Sequence, residues 1–300
     1  MSSSGLIATL GNFDGVHRGH QLLLSRILAL KQKNESMQSA LISFYPHPAL
    51  VLGKTGELKR LSCLHDTVEQ LERLSLDILY LIRFTPQFAT LTAEQFINAI
   101  LIDALNVRVL VVGPDARIGR GGEGDSSVIA EAMMKAGRSV EIAPFLSEHG
   151  SRISSRQIRG AVSKGDMHEA AKGLGRPYLL RGRVVPGAGR GSKIGIPTAN
   201  LTVLGRNKLI PPNGVYAARA EVNGQHYPAA VNIGTRPTFE SSGAAKIEAH
   251  LLNFQSRPLY GERVALKLVQ KLRDEQKFSS AESLLSQVLA DIERVRKVLQ

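Results

Sequence analysis

The chain has 300 residues, a formal net charge of +12, 43% hydrophobic and 5% aromatic content, and one cysteine. That length and apolar content suit two globular domains. A single cysteine excludes an internal disulfide framework or a clustered Cys/His metal signature, and no apolar run approaches the roughly 18 residues that a bilayer span requires.

The N-terminus Met1-Ser-Ser-Ser-Gly5 lacks a basic region ahead of a long apolar segment, so a cytoplasmic protein with no membrane association is expected. The pI near 10.0 raises the question of nucleic acid. The basic residues are scattered through both halves, however, with no helix-turn-helix or aromatic stacking pattern beside them. No nucleic-acid partner is expected, and small polyanions would gain from the same field.

In chain order, short apolar runs alternate with helical spacing. Strands are expected at residues 6–10, 39–45, 76–83, 107–113 and 139–145. Helices are expected at 21–30, 60–74 and 92–105, the last opened by a capping box at Thr92-Ala-Glu-Gln95. This alternation predicts an α/β fold, a Rossmann-like, doubly wound parallel sheet. Pro46-His47-Pro48 stops the second strand. Further helices open near Ser154 or Ser155 and at Met167, and Gly175-Arg-Pro177 closes a first domain at residues 1–177. From Tyr178 the pattern changes to short alternating runs at 180–185, 214–222, 226–233, 246–252 and 263–269, with a turn at Asn223-Gly224. Residues 178–300 therefore read as a second domain, a small antiparallel β-barrel. Its terminal helix is capped at Ser279-Ser-Ala-Glu282 and expected to bury Leu284, Leu285, Val288, Leu289 and Ile292.

Ligands collect at the carboxyl ends of the strands in a doubly wound sheet. There Gly11-Asn-Phe-Asp-Gly-Val-His17 turns from strand to helix and puts His17 and His20 in a first helical turn, where free N–H groups and the helix dipole favour an anion. The two imidazoles can donate to an oxygen whose charge grows as a phosphoryl group is attacked, and Gly19 would let a phosphate approach the backbone. A bare H-x-G-H is also compatible with a plain helix start or with two ligands of a metal. No third His, Cys or carboxylate lies at metal spacing nearby.

The stretch resembles the H-x-G-H nucleotidylyltransferases, in the version found in bacterial flavin adenine dinucleotide synthetases. The resemblance implies that Gly11, Asn12 and Asp14 bind ATP beside the catalytic His17 and His20. It also implies that the loop after the fourth strand, Gly113-Pro-Asp-Ala-Arg-Ile-Gly119, meets the flavin through Asp115 and Arg117. The family usually has phenylalanines where this chain has Ala116 and Ile118, so a weakened flavin platform is expected. Without the resemblance this glycine-rich segment reads equally as a flexible surface loop. Ile153-Ser-Ser-Arg-Gln-Ile-Arg159 converges hydroxyls, N–H groups and a guanidinium on one helix start, suited to the outer phosphates of ATP through Ser154, Ser155 and Arg159. A plain capped helix would look nearly the same.

In the second domain, Gly187, Gly189 and Gly191 allow backbone N–H groups to wrap a phosphate and Lys193 adds charge. Thr198 and Asn200 offer neutral oxygens to a Mg²⁺ ion bridging phosphates. Pro197-Thr-Ala-Asn200, Asn232-Ile-Gly-Thr-Arg-Pro-Thr238 and Glu248-Ala-His-Leu-Leu252 resemble riboflavin kinases. Glu248, expected to point inward from a strand, is a paired structural acid or a general base; the resemblance favours the base. Together the two motif sets imply a bifunctional enzyme. Riboflavin and ATP would give FMN in the barrel, and FMN with a second ATP would give FAD and pyrophosphate in the N-terminal domain, with Mg²⁺ in both. Two alternatives stay open: a riboflavin kinase alone, with a weakened or repurposed nucleotidylyltransferase domain, and a basic nucleic-acid-binding or regulatory protein with retired sites.

Overall fold

Strand β1 (Leu6–Leu10) is buried along its whole length, because helices cover both faces of the sheet at whose centre it lies. Four parallel partners flank it: β2 (Gln38–Tyr45), β3 (Ile78–Arg83), β4 (Val107–Val112) and β5 (Ser139–Ile142), in the order β3-β2-β1-β4-β5. Leu6, Ala8 and Leu10 pack on one face against Phe96, Ile97 and Leu101, together with Ile129 and Met133. Ile7 packs on the other face against Leu24, Ile27 and Leu71. The order reverses between β1 and β4, so the loops that follow these two strands open at the switch point where ligands bind in such sheets. The five strands lie where the sequence pattern puts them.

A computed structural model supplies these coordinates and describes residues 5–53, 58–148, 150–187, 189, 191, 195–205, 207–235, 245–255 and 257–300. The chain divides into two compact units, Met1–Lys59 with Leu64–Ser154, and Arg60–Cys63 with Ser155–Gln300. In the first unit, α1 (Arg18–Gln32) and α3 (Leu64–Arg73) cover one face of the sheet, with a short α2 (Pro48–Val51) after β2. The other face is covered by α4 (Ala93–Gln95), which continues as a π-helix (Phe96–Ala104), and by α5 (Ser126–Lys135). The capping box at Thr92 and Gln95 is present. A short hairpin of β6 (Ser147–Glu148) and β7 (Ser151–Arg152) follows β5.

Two expectations for this half need correction. The helix expected from residue 60 starts at Leu64, because Arg60 pairs its backbone within the second unit, its N–H donating to Asn207 O (2.6 Å) and its carbonyl accepting from Leu209 N (2.8 Å). Helix α5 is an addition. Asp125 caps it, accepting from Ser127 N at 3.0 Å and Val128 N at 3.1 Å.

The second unit opens with α6 (Ser155–Lys164) and α7 (Met167–Leu174) and continues into a closed antiparallel barrel. Its strands are β8 (Tyr178–Val185), β9 (Ala199–Val203), β10 (Gly214–Val222), β11 (Gln225–Thr235), β12 (Ala245–Leu251) and β13 (Arg263–Arg273). Five of the six match expected runs; β9 is the sixth. Asn223 and Gly224 both have positive φ (50° and 77°), the requirement of a two-residue hairpin turn matched to strand twist. Tyr216, Ala218, Ala220 and Val222 alternate into the interior, while Ala217 and Ala230 lie outside, beneath the C-terminal helix (Ala281–Leu299). That helix buries Ile292, Val295 and Leu299, whereas Leu289, expected on the packed face, is 52% exposed. Its cap is Ser280 with Ser283 rather than a Ser279–Glu282 box. The Arg273 guanidinium holds the buried Asp291 carboxylate at 2.7–3.1 Å, fixing the helix to β13.

Candidate active sites

The turn after β1 is built from conformations that L-residues avoid. Gly11 (φ 154°) and Gly15 (φ 85°) supply two of them at little steric cost, but Phe13 (φ 46°) and Val16 (φ 41°) do not. Each such residue costs on the order of 1–3 kcal/mol. Phe13 and Val16 are each 1% exposed in the core under α1, and burying such a side chain offsets about that much. The turn therefore delivers His17 in one position, as the N-cap of α1.

His17 Nδ1 accepts from the backbone N–H of His20 at 3.3 Å. With Nδ1 as acceptor, the neutral form of the ring carries its proton on Nε2. The His20 ring is stacked between His17 (centroids 3.6 Å apart) and Phe13 (4.3 Å). Burial, and then the neighbouring His17, hold His20 well below the usual imidazole range, so it is neutral at pH 7. Three of the six buried side-chain atoms without a hydrogen-bond partner among the described residues fall in this stretch: Thr9 Oγ1, Asn12 Oδ1 and His20 Nδ1. Orphaned polar groups at this density mark a place where another molecule supplies the partners. A Cβ on Gly19 would lie 3.2 Å from the His17 ring and 3.5 Å from the Ile153 carbonyl oxygen, so glycine also serves packing here.

At the carboxyl end of the neighbouring β4, Asp115 is ion-paired with Arg152, whose guanidinium covers the Phe145 ring at 3.8 Å, and Arg117 reaches Asp125 at 3.4 Å. The glycine-rich segment is not a loose loop. Ile118 and Gly124 exchange both backbone hydrogen bonds (2.9 and 3.0 Å), and a Cβ on Gly119 would lie 2.4 Å from Ala93 N. The Ile118 side chain is 6% exposed and belongs to the sheet's core, with Ala116 half-buried against the same cluster. The Phe44-Tyr45 pair at the end of β2 is a sequence-level candidate for part of the missing flavin surface; the sequence does not single out Phe84, Phe88 and Phe96, which pack ring on ring with Phe44 at 5.7–6.2 Å. These phenylalanines come from separate elements and carry no motif. One turn thus joins Gly11, Asn12, Asp14, His17 and His20, and Asp115 and Arg117 stand at the same end of the sheet. Ser154 ends the first unit, whereas Ser155 and Arg159 belong to α6 in the second.

In the second unit the glycine segment closes over two expected ligands. An ideal Cβ on Gly187 would lie 2.0 Å from Asn200 Nδ2, and one on Gly191 would lie 2.3 Å from Ile196 O and 3.3 Å from Thr198 Oγ1. Only glycine permits so close an approach. Gly189 has φ 66°, and Lys193 lies outside the described residues. Asn200 on β9 stands directly opposite Glu248 on β12, which stands opposite Asn232 on β11. Such cross-strand neighbours have Cβ atoms about 4.5–5.5 Å apart. Glu248 does not point inward. Ile247, Ala249 and Leu251 fill the barrel, and a carboxylate among them would lose its hydration, so Lys246, Glu248 and His250 take the outer face. There Glu248 is ion-paired with Lys246, and His250 Nδ1 shares a hydrogen bond with Pro197 O at 2.8 Å.

No group of three or more His, Cys, Asp or Glu among the described residues could hold a metal by itself. Mg²⁺ needs less, since it takes one or two protein oxygens and completes its shell with phosphates and water. The Thr198 hydroxyl and the Asn200 amide, which lie close against Gly191 and Gly187, are oxygen donors of that kind.

An imidazole pair on a helix start in a doubly wound sheet, and a glycine cradle over Thr and Asn in a closed barrel, define a two-part transferase acting on nucleotide phosphates. The family comparisons divide the chain in the same way. Residues 1–157 match the FAD synthetase family and residues 174–299 the riboflavin kinase family. Among similar proteins, the bifunctional riboflavin kinase/FMN adenylyltransferase of Listeria monocytogenes is 37% identical over 97% of this chain and 91% of its own length. The proteins of the same description from Bacillus subtilis and Escherichia coli K12 are 37% and 36% identical, over 95% and 96% of this chain and 90% of their own lengths. A crystal structure from Streptococcus pneumoniae, described as a macrolide-efflux protein, superposes with a TM-score of 0.90 at 32% identity, covering 99% of this chain and 95% of that one. Among the described residues here, no helix is long and apolar enough to cross a membrane. The chain belongs to the bifunctional riboflavin kinase/FMN adenylyltransferase family.

Proposed function

We infer that the chain phosphorylates riboflavin with ATP to give FMN and ADP, and adenylylates FMN with a second ATP to give FAD and pyrophosphate. The observation that carries this reading is the row Gly187–Asn200–Glu248, which joins a phosphate cradle to a carboxylate across paired strands. The His17–His20 stack on the first sheet supports the second reaction. We assign the adenylyl transfer to residues 1–177 and the kinase to residues 178–300.

In the kinase, Glu248 accepts the proton of the riboflavin terminal hydroxyl as that oxygen attacks the γ-phosphorus. Thr198 and Asn200 would hold Mg²⁺, which would supply neutralisation of phosphate charge, and the glycine backbone binds the phosphates. In the adenylyl transfer, His17 donates from Nε2 to the α-phosphate, His20 donates alongside it, and Asn12 accepts from the nucleotide. Gly11 and Asp14 shape that pocket. Ser154 takes an outer phosphate, and Asp115 and Arg117 position FMN.

Incubation of the pure protein with riboflavin, ATP and Mg²⁺, followed by chromatography, tests the reading. FMN appears first and FAD follows. FMN without FAD, even when FMN is supplied, would leave a kinase alone; the bare positions 116 and 118 favour that outcome over any other failure.

A further inference from the structure

We propose that Lys246 is a catalytic residue of the kinase reaction, its ammonium passing from the Glu248 carboxylate to the γ-phosphoryl oxygens of ATP during transfer. The proposal rests on Glu248 being the base.

Lys246 and Glu248 are two residues apart on β12, share the outer face of the barrel, and form an ion pair between side chains only 29% and 25% exposed. The pair continues a row of contacts: Gly187 backbone on the Asn200 amide, Asn200 opposite Glu248, Glu248 on Lys246. A phosphate bound by the glycine backbone, with a hydroxyl in line to attack it and in hydrogen-bond reach of Glu248, has its transferring group beside this carboxylate. The ammonium is then roughly two hydrogen bonds, about 6 Å, from the phosphoryl oxygens. A four-methylene side chain spans that distance by rotation. The other carboxylate on this face, Glu275, sits over Gly234, the cross-strand partner of Lys246, and its Oε2 already accepts from Asn213 at 3.1 Å.

Charge movement gives the ammonium a reason to transfer. The riboflavin oxygen bonds to the γ-phosphorus, the bridging bond to the β-phosphate breaks with its electron pair leaving on ADP, and the hydroxyl proton goes to Glu248. Glu248 becomes neutral and loses its hold on Lys246 at the moment when negative charge sits on the phosphoryl and ADP oxygens. A cation released there stabilises the transition state more than the ground state, which is the condition for raising kcat.

The test uses the full chain and follows FMN formation, because ATP also serves the adenylyl transfer. Lys246→Met should lower kcat by ~10²–10³, the usual loss for one such donor. The inhibition constant of ADP against ATP should stay within about twofold, since ADP lacks the γ-phosphoryl group. Lys246→Arg, keeping the charge on a different fork, should recover at least about tenfold of the loss. FAD formation from supplied FMN should be unchanged in both variants, since it belongs to the first domain, and the retained ADP constant reports a folded barrel. Retention of kcat within about threefold in Lys246→Met, a parallel weakening of ADP, or an Arg variant no better than Met overturns the proposal. Glu248→Gln run in parallel separates the two ideas. If it keeps full kinase activity, the base assignment fails and this proposal with it; if it loses activity while Lys246→Met does not, only the role of Lys246 fails.

Discussion

His17 and His20 stack face to face, ring centroids 3.6 Å apart, with the Nδ1 of one taken by the backbone N–H of the other. Desolvation of the part-buried His20 ring, and then repulsion by a charged His17 at that distance, keep it neutral in the folded protein to a pH well below its ordinary value of 6.5. The unfolded chain takes up that proton near 6.5 while the folded chain does not. Below 6.5 the unfolded state therefore binds more protons, and stability falls as pH drops toward the folded-state value. His20→Gln, which cannot titrate, should lose less stability between pH 7.5 and 5.5 than the unaltered protein, read as the midpoint of urea unfolding. Parallel pH dependence in the two proteins would show that His20 is not buried and neutral.

The same pair predicts which product suffers from its removal. His17→Ala and His20→Ala should each depress FAD formation by ~10²–10³, the loss typical of one transition-state donor, while FMN formation persists. His17→Ala also removes the cap of α1, costing about 1 kcal/mol. A correctly folded variant that loses both products equally would refute the assignment of the histidines to adenylyl transfer alone.

Across β9 and β12, Asn200 and Glu248 should fail together. Glu248→Gln keeps the shape and removes the base, and Asn200→Ala removes an oxygen donor, so each should lower FMN formation while supplied FMN is still adenylylated. Gly187→Ala should mimic Asn200→Ala, because its Cβ would lie 2.0 Å from the Asn200 amide nitrogen and push that side chain away. A normal KM for ATP in FMN formation by the Gly187→Ala protein would dissociate the cradle from the Asn200 site.

What the sequence made legible follows from how local each signal is. The parallel strands were readable because burial on both faces leaves continuous apolar runs such as Leu6–Leu10. The helix start at His17 and His20, the Thr92 box and the Asn223-Gly224 turn were readable because a few adjacent residues make them. Strand β9 was not, since Pro197 and Thr198 lead into it and its partners on β8 and β12 supply the pairing. Arg60–Cys63 looked helical because its true contacts, such as Lys208 Nζ donating to Leu61 O, lie 147 residues away. The pairing of Lys246 with Glu248 was hidden by the inward orientation first assigned to the glutamate, since only the barrel's closure fixes which face is inside.

The flavin platform requires separate treatment of Ala116 and Ile118. The resemblance leads one to expect rings at both, but the side chains are not equivalent: Ile118 is 6% exposed within the core, pinned by its exchange of hydrogen bonds with Gly124, while Ala116 is only half-buried against that core. A phenylalanine at 118 must fit a closed space, and overpacking of that kind typically costs about 1–3 kcal/mol. Ile118→Phe should therefore lower the melting temperature and leave the flavin site no better. At 116 the side chain is only half-buried, and a ring against a flavin adds about 0.5–1.5 kcal/mol beyond its buried area. Ala116→Phe should lower the KM for FMN in FAD formation by roughly two- to tenfold and leave riboflavin phosphorylation unchanged. An unchanged or higher KM for FMN in that single variant, with the fold intact, would mean that the segment after β4 does not meet the isoalloxazine in this protein and that the phenylalanines on β2 and after β3 carry the flavin alone.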